Sequence, residues 1–167
     1  MAEKGKTRTL KEHIHHEAKL NIVINLVLNT AIPIVMLRGL TEVSAWGDHG
    51  YGYDLLITAF ILCSLLGAIF IAVTRRKHQR GEIIAEGHEG QALAWLIPYN
   101  PWLAAPWIGV IGVCLAVPPL ILLLTVTGAS TLSPLSYAVI KGVWAAALAA
   151  VVVSISIRQA VRKQESV

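Results

Sequence analysis

Three asparagines within one apolar stretch are the residues whose spacing points most directly to chemistry. Asn21, Asn25 and Asn29 are four residues apart within residues 20–37, which are otherwise mostly apolar. Four residues is close to one helical turn, so the three amides share one face of a helix. An amide that faces lipid has no water to bond to. We therefore expect this face to look into protein or into a wet cavity.

Pro33 extends this polar face toward the end of the same stretch. A proline removes one backbone hydrogen bond from a helix and frees a carbonyl group, and inside a membrane that carbonyl needs a partner. Two interpretations stay open for the polar face, which consists of Asn21, Asn25, Asn29 and Pro33. It lines a pathway for a solute, or it packs against another helix.

Asp54 and Lys141 are ionisable residues that each lie about one turn inside the predicted outer edge of an apolar stretch. Two opposite charges at similar depth in a membrane predict an ion pair. In the alternative interpretation, each side chain extends separately to water.

The histidines are the remaining candidates for catalysis or metal binding. Thr9 is the expected N-cap of a basic helix in which His13, His16 and Glu17 have a spacing that suits a metal geometrically. A solvated helix that happens to carry histidines explains the same pattern, and no metal or cofactor is predicted. The chain has no phosphate-binding loop, zinc-hydrolase, redox-cysteine or nucleophile-elbow motif. We therefore predict no catalytic residues and no enzyme.

Four apolar stretches must position these residues. Of the 167 residues, 55% are apolar and 14% are charged, whereas soluble domains have about 25% charged residues. Residues 20–37, 55–73, 107–127 and 138–157 each approach the roughly 20 residues that cross the hydrocarbon core. The predicted fold is an all-α membrane protein with four transmembrane helices in two hairpins.

This fold divides the chain into five segments. They are a cytoplasmic amphipathic N-terminal segment (1–19), a first transmembrane hairpin (20–74), a cytoplasmic linker with an interfacial aromatic segment (75–106), a second transmembrane hairpin (107–157) and a basic cytoplasmic tail (158–167).

Basic residues set the predicted orientation. Lys and Arg cluster before the first span, after the second and after the fourth. The positive-inside rule then places both termini and the middle loop in the cytoplasm, which also explains the net charge of +4 without nucleic acid. Trp46, Tyr51 and Tyr53 are expected in the aromatic belt on the outer side.

Small residues mark where helices can approach closely. Gly67 lies in the second span, and Gly142, Ala146 and Ala150 are four residues apart in the fourth. Such residues allow close helix–helix contact, within one chain or between copies.

The two halves of the chain can be laid over one another. An offset of 84 to 86 residues aligns Pro33 with Pro118, Tyr53 with Tyr137, and Arg76 with Arg162. Both halves begin on the predicted cytoplasmic side, so a duplication would give parallel repeats related by an axis along the membrane normal. Features that any two hairpins share explain part of the same match.

Three segments spread over the first half of the chain carry a resemblance to known proteins, namely VINLVLNTAIP, YDLLITAF and TRRKHQRG. In this half the chain resembles small uncharacterised bacterial four-helix inner-membrane proteins. The resemblance implies a multi-pass protein of the bacterial cytoplasmic membrane, and it implies no activity and no site residues.

The leading functional hypothesis is a small-solute permease or channel-like protein. It would act as a homo-oligomer, because four helices rarely enclose a path alone. The polar face would line the path, and Asp54 and Lys141 would set the charge at its outer mouth. The alternative is an accessory or assembly subunit whose polar face binds helices of a larger membrane complex. The predicted partners are the lipid bilayer and other copies or membrane subunits.

Overall fold

A computed structural model of the chain describes residues 8–47, 50–84, 97–98 and 100–162. It contains four long helices, α1 (Leu10–Met36), α2 (Tyr51–Gln79), α3 (Pro101–Val126) and α4 (Pro134–Ala160). All four are long enough and apolar enough to cross a membrane. This confirms the predicted helical fold with four helices that are long and apolar enough to span a membrane. Parts of the predicted segments 1–19, 75–106 and 158–167 lie outside the described residues.

The first helix begins at the residue that the sequence indicates. The Thr9 side chain accepts a hydrogen bond from the backbone N–H of Glu12 at 3.3 Å. In return, the Glu12 carboxylate accepts one from the Thr9 N–H at 3.1 Å, which completes a capping box. From there α1 continues to Met36 without a break. The predicted N-terminal surface helix and the first span are therefore one helix.

Two short strand pairs tie the connecting segments together at opposite ends of the helices. The strands are β1 (Arg8–Thr9), β2 (Val43–Ser44), β3 (Ile83–Ile84) and β4 (Thr131–Leu132). β1 pairs in parallel with β3, and β2 pairs antiparallel with β4. We call the end with β1 and β3, where α1 starts and α4 ends, the basic end. The other, with β2 and β4, is the loop end.

The helices pack in the order α1, α4, α2, α3. α1 lies on α4, and α2 lies on both α4 and α3, whereas α1 makes few contacts with α2 and α3 makes few with α4. The structure therefore does not show the two predicted hairpins as packed units. Each helix that starts a predicted hairpin instead packs on the second helix of the other hairpin.

This order leaves two helices inside and two at the edges. In the most apolar window of α4, 44% of the residues are buried, against 17% in that of α1. One buried apolar cluster at the loop end joins α2, α3 and α4, and another at the basic end joins α1, α2 and α4. Most other large apolar side chains point outward, as expected for helices in lipid.

Candidate functional site

The asparagine face of α1 is turned toward α4. Asn21, Asn25 and Pro33 are buried and Asn29 is half-buried. Because α4 is the helix on which α1 packs, these residues lie at the interface between α1 and α4. The structure places all four members of the polar face against protein.

Each asparagine amide is bonded within its own helix. Asn21 Nδ2 donates to the Glu17 carbonyl oxygen and Asn25 Nδ2 to that of Asn21, both at 2.9 Å. Asn29 Nδ2 donates to the Asn25 carbonyl oxygen at 3.1 Å. Bonds from an asparagine to a carbonyl one turn earlier are a local option that this side chain has in any helix. Each amide nitrogen therefore has a hydrogen-bond acceptor without a solute or a second helix.

The surface of α4 that faces α1 is made of small residues. A Cβ atom on Gly142 would overlap the Thr30 hydroxyl and lie 3.0 Å from the Leu26 carbonyl oxygen, both on α1. Ala146 is also buried and Ala150 is half-buried. The two backbones approach closely here, so the polar face has no open passage in front of it at Gly142.

Gly67 has the same role between α2 and α3. A Cβ atom there would lie 3.1 Å from Ile108 Cδ1. On α3, a Cβ atom on Gly109 would overlap the Ser64 hydroxyl, and one on Gly112 the Cys63 sulfur. Close contacts at glycine thus recur in both outer helix pairs, α1 with α4 and α3 with α2.

The structure brings Asp54 and Lys141 together at the loop end, where they join α2 to α4. Lys141 Nζ lies 2.8 Å from Asp54 Oδ1 and 2.6 Å from Oδ2. The Tyr137 hydroxyl also donates to the Asp54 carboxylate, and Thr58 Oγ1 donates to it at 3.3 Å. We call these four residues the Asp54 cluster.

The two charges differ in their exposure. The Lys141 side chain is 5% exposed, whereas that of Asp54 is 42% exposed. A buried ammonium group is costly unless it is paired and hydrogen-bonded, and here the carboxylate supplies both interactions. The cluster therefore acts first as a link between α2 and α4, with one carboxylate edge left accessible.

Tyr51 packs against this cluster through Tyr137. Its ring stacks on that of Tyr137 with centroids 5.7 Å apart, and its hydroxyl donates to the Ala129 carbonyl oxygen at 3.0 Å. Tyr51 is 1% exposed, so its predicted place in the aromatic belt is wrong. Tyr53 and Trp46 are exposed and pack edge to face on each other.

Sequence reasoning missed the tyrosines of this site, although their spacing carries a signal. Tyr137 and Lys141 are one turn apart on α4, and Tyr51, Asp54 and Thr58 follow one face of α2. Polar residues at helical spacing beside a charge indicate that they bond the same partner.

At the basic end, His13 is buried, and it is not the solvated side chain that the basic-helix interpretation implies. Its Nδ1 lies 3.7 Å from Glu17 Oε1, which is also 3.8 Å from Lys77 Nζ. His16 is exposed. Within residues 8–47, 50–84, 97–98 and 100–162, no three His, Cys, Asp or Glu side chains come together as a metal site would require.

No family model, curated protein or solved structure matches this chain. The resemblance of the first half to small bacterial inner-membrane proteins therefore stays a prediction, and function has to be argued from the geometry above.

Proposed function

We propose that this integral membrane protein is a non-catalytic accessory or assembly subunit of a larger membrane complex. The main observation that supports this proposal is that the polar face of α1 is hydrogen-bonded within its own helix and packed against α4. Side chains that would have to contact a solute are used to build the bundle instead. This reverses the order of the two hypotheses that the sequence suggests, and it moves the proposed partner surface from the polar face to the free side of α1.

The Asp54 cluster supports the same proposal. Lys141 is buried, and its ammonium group contacts both carboxylate oxygens of Asp54. This ion pair joins α2 to α4. Substrate pathways also use paired charges in membranes, but a pathway needs further polar groups along the helices. Toward the basic end from this cluster, the buried side chains of α2, α3 and α4 are mostly apolar in the described residues, and the buried polar groups there include the hydroxyls of Ser64, Thr74 and Ser156.

The edge helix α1 offers the surface for a partner. Val23 and Val27, one turn apart, are each 58% exposed, and Val35 is 60% exposed. α4 is the helix on which α1 packs, so a transmembrane helix of another subunit can lie along its free side. Packing and small polar contacts hold such helices together in lipid.

Purification from the native membrane tests this proposal. We expect the tagged chain in mild detergent to carry a foreign subunit in fixed stoichiometry, identified by mass spectrometry together with the mass of the complex. Val27→Trp, on the free side of α1, should release that subunit. Val143→Trp is the matched control, because Val143 is also 58% exposed but lies on α4.

Two results would contradict the accessory role. One is a homo-oligomer of stable mass with no foreign chain. The other is a foreign subunit that stays bound equally well in the Val27→Trp and Val143→Trp variants.

A homo-oligomeric permease is the second candidate, favoured by the 42% exposure of the Asp54 side chain. A carboxylate that stays accessible beside buried Lys141 has room to meet a solute or another copy. This candidate predicts that purified protein makes liposomes permeable to glycerol, urea or potassium ions. Asn25→Leu and Asn29→Leu should then abolish the flux while membrane insertion and oligomer size stay unchanged.

We also propose the orientation and location given by the charge pattern. The basic end would face the cytoplasm of a bacterial inner membrane, with both termini on that side. Support comes from the distribution of Lys and Arg and from the placement of α1's start and α4's end at one end of the bundle.

The internal duplication remains a proposal that the packing supports. α1 lies on α4 as α3 lies on α2, and α2 and α4 meet between them. Tyr51 rather than Tyr53 stacks on Tyr137, which corresponds to an offset of 86. Exchange of first helices between the two halves is compatible with an axis along the membrane normal, because such an axis would relate the pair α1 and α4 to the pair α3 and α2.

A further inference from the structure

An apolar groove runs between α3 and α4, which are consecutive helices that make few contacts with each other. Its volume is about 620 Å³, roughly four times that of an apolar cavity of about 150 Å³ that holds benzene. Its walls include Ile97, Trp107, Leu115, Trp144, Val151 and Ile155. The groove therefore has the size and the lining for a hydrocarbon chain.

The α4 wall of the groove leads to a positive charge. Val151 and Ile155 line the groove one turn apart, and Arg158 follows at the next turn on the same face. Arg158 is exposed. It lies in the last turn of α4, and the end of a helix that spans the hydrocarbon core is expected at the depth of the phospholipid headgroups.

Ile97 and Pro98, which precede α3, are held beside α4 at this end of the groove. Gln159 Nε2 donates to the carbonyl oxygens of Ile97 and Pro98 at 3.2 and 3.3 Å. Ile97 lines the groove, so this bond fixes one wall beside Arg158. Trp107, which is 48% exposed, stands on the opposite wall, and tryptophan is favoured at the level of the headgroups.

We propose that this groove binds one anionic phospholipid, with an acyl chain between α3 and α4 and the phosphate at Arg158. Water has too few polar partners in such a lining to fill it, whereas lipid chains are adjacent to it in a bilayer. The guanidinium forms paired hydrogen bonds with phosphate oxygens.

A second copy fits the groove less well than a lipid. In a two-fold dimer the same surface is used by both chains, so a second Arg158 would approach the first. A phospholipid brings the opposite charge to the same rim. This inference requires only that the bundle lies in a membrane, and it is independent of the accessory role.

Native mass spectrometry of the detergent-purified full chain tests the site. The probes are phosphatidylglycerol and phosphatidylcholine with identical acyl chains. We expect one tightly bound phosphatidylglycerol and weaker phosphatidylcholine binding. Arg158→Gln should weaken phosphatidylglycerol about fivefold and remove the preference for it. Arg76→Gln removes a charge from an exposed residue of the last turn of α2, outside the groove, and should change neither lipid.

Filling the groove tests the position of the acyl chain. Val151→Trp should reduce the binding of both lipids at least tenfold. Val143→Trp makes the same change at a similarly exposed site of α4 outside the groove and should leave binding intact. Equal binding of the two lipids, or equal loss in Arg158→Gln and Arg76→Gln, would overturn the headgroup site. Unchanged lipid binding in Val151→Trp would overturn the assignment of the acyl chain to the groove. Conversion of a dimer to a monomer by that variant would also overturn it, because the groove would then bind a second copy of the chain.

Discussion

Neutralising Asp54 should destabilise the bundle more than neutralising Lys141. Asp54→Asn keeps the shape of the side chain but leaves the ammonium of Lys141, which is 5% exposed, without its counter-charge. Lys141→Met keeps most of the apolar stem and removes the buried charge. The remaining carboxylate is 42% exposed and still accepts hydrogen bonds from Tyr137 and Thr58. The asymmetry follows from which charge is buried.

The magnitude can be bounded from the exposure of the pair. Removing one partner of a fully buried ion pair costs about 3–5 kcal/mol. Because the Asp54 side chain is more than a third exposed, solvent screening reduces this cost, and we expect about 1–3 kcal/mol for Asp54→Asn. For Lys141→Met we expect about 1 kcal/mol or less. In a chain of this size the larger effect corresponds to a fall in Tm of about 2–12 °C.

Thermal unfolding in detergent, followed by circular dichroism and by the monodisperse fraction after heating, measures both variants. The double variant Asp54→Asn/Lys141→Met supplies the control, because it leaves no unpaired buried charge, and its Tm should return to within about 3 °C of the parent. The reasoning is refuted if Lys141→Met is the more damaging change. It is also refuted if the double variant is as unstable as Asp54→Asn alone.

Three further predictions concern the helix contacts and the loops. Gly142→Ala should lower the unfolding free energy by about 1–3 kcal/mol, because the added Cβ meets α1. The control Ala147→Val, in the groove, should change it by about 0.5 kcal/mol or less. Equal effects of the two changes would contradict the close contact between α1 and α4. Cysteines at Ser44 and Thr131, which pair across β2 and β4, should form a disulfide on mild oxidation, and failure to cross-link would contradict that register. In intact cells an impermeant maleimide should label Thr131→Cys but not Gln79→Cys, and the reverse pattern would invert the proposed orientation.

The four helices and the first cap follow from sequence because their signals are local. Hydrocarbon thickness fixes the length of each apolar stretch, and Thr9 with Glu12 has the spacing of a capping box. The positions of Asp54 and Lys141 relative to the ends of their apolar stretches likewise predict that both lie on loop-end turns of α2 and α4. The structure brings their side chains together.

The order of the helices does not follow from sequence, because an apolar face can meet lipid or another helix at similar cost. Steric fit decides instead. Gly142 allows α1 to approach closely, and Gly109 and Gly112 allow α2 to do so. The spacing of these glycines in the sequence does not predict which helix will be the partner. Asn25 shows a similar limit. Its amide predicts a protected environment, yet whether that environment is a solute path or the interface between α1 and α4 depends on how close α4 comes.

The accessibility of Asn25 tests the central claim most directly, namely that the polar face is buried against α4 and does not line a water-filled path. In a background with Cys63 and Cys114 replaced by serine, Asn25→Cys would be treated in membranes with a charged methanethiosulfonate reagent, beside Thr131→Cys as the exposed reference. We predict that the cysteine at position 25 reacts at least a hundredfold more slowly than the one at position 131. Comparable rates at the two positions would contradict the account.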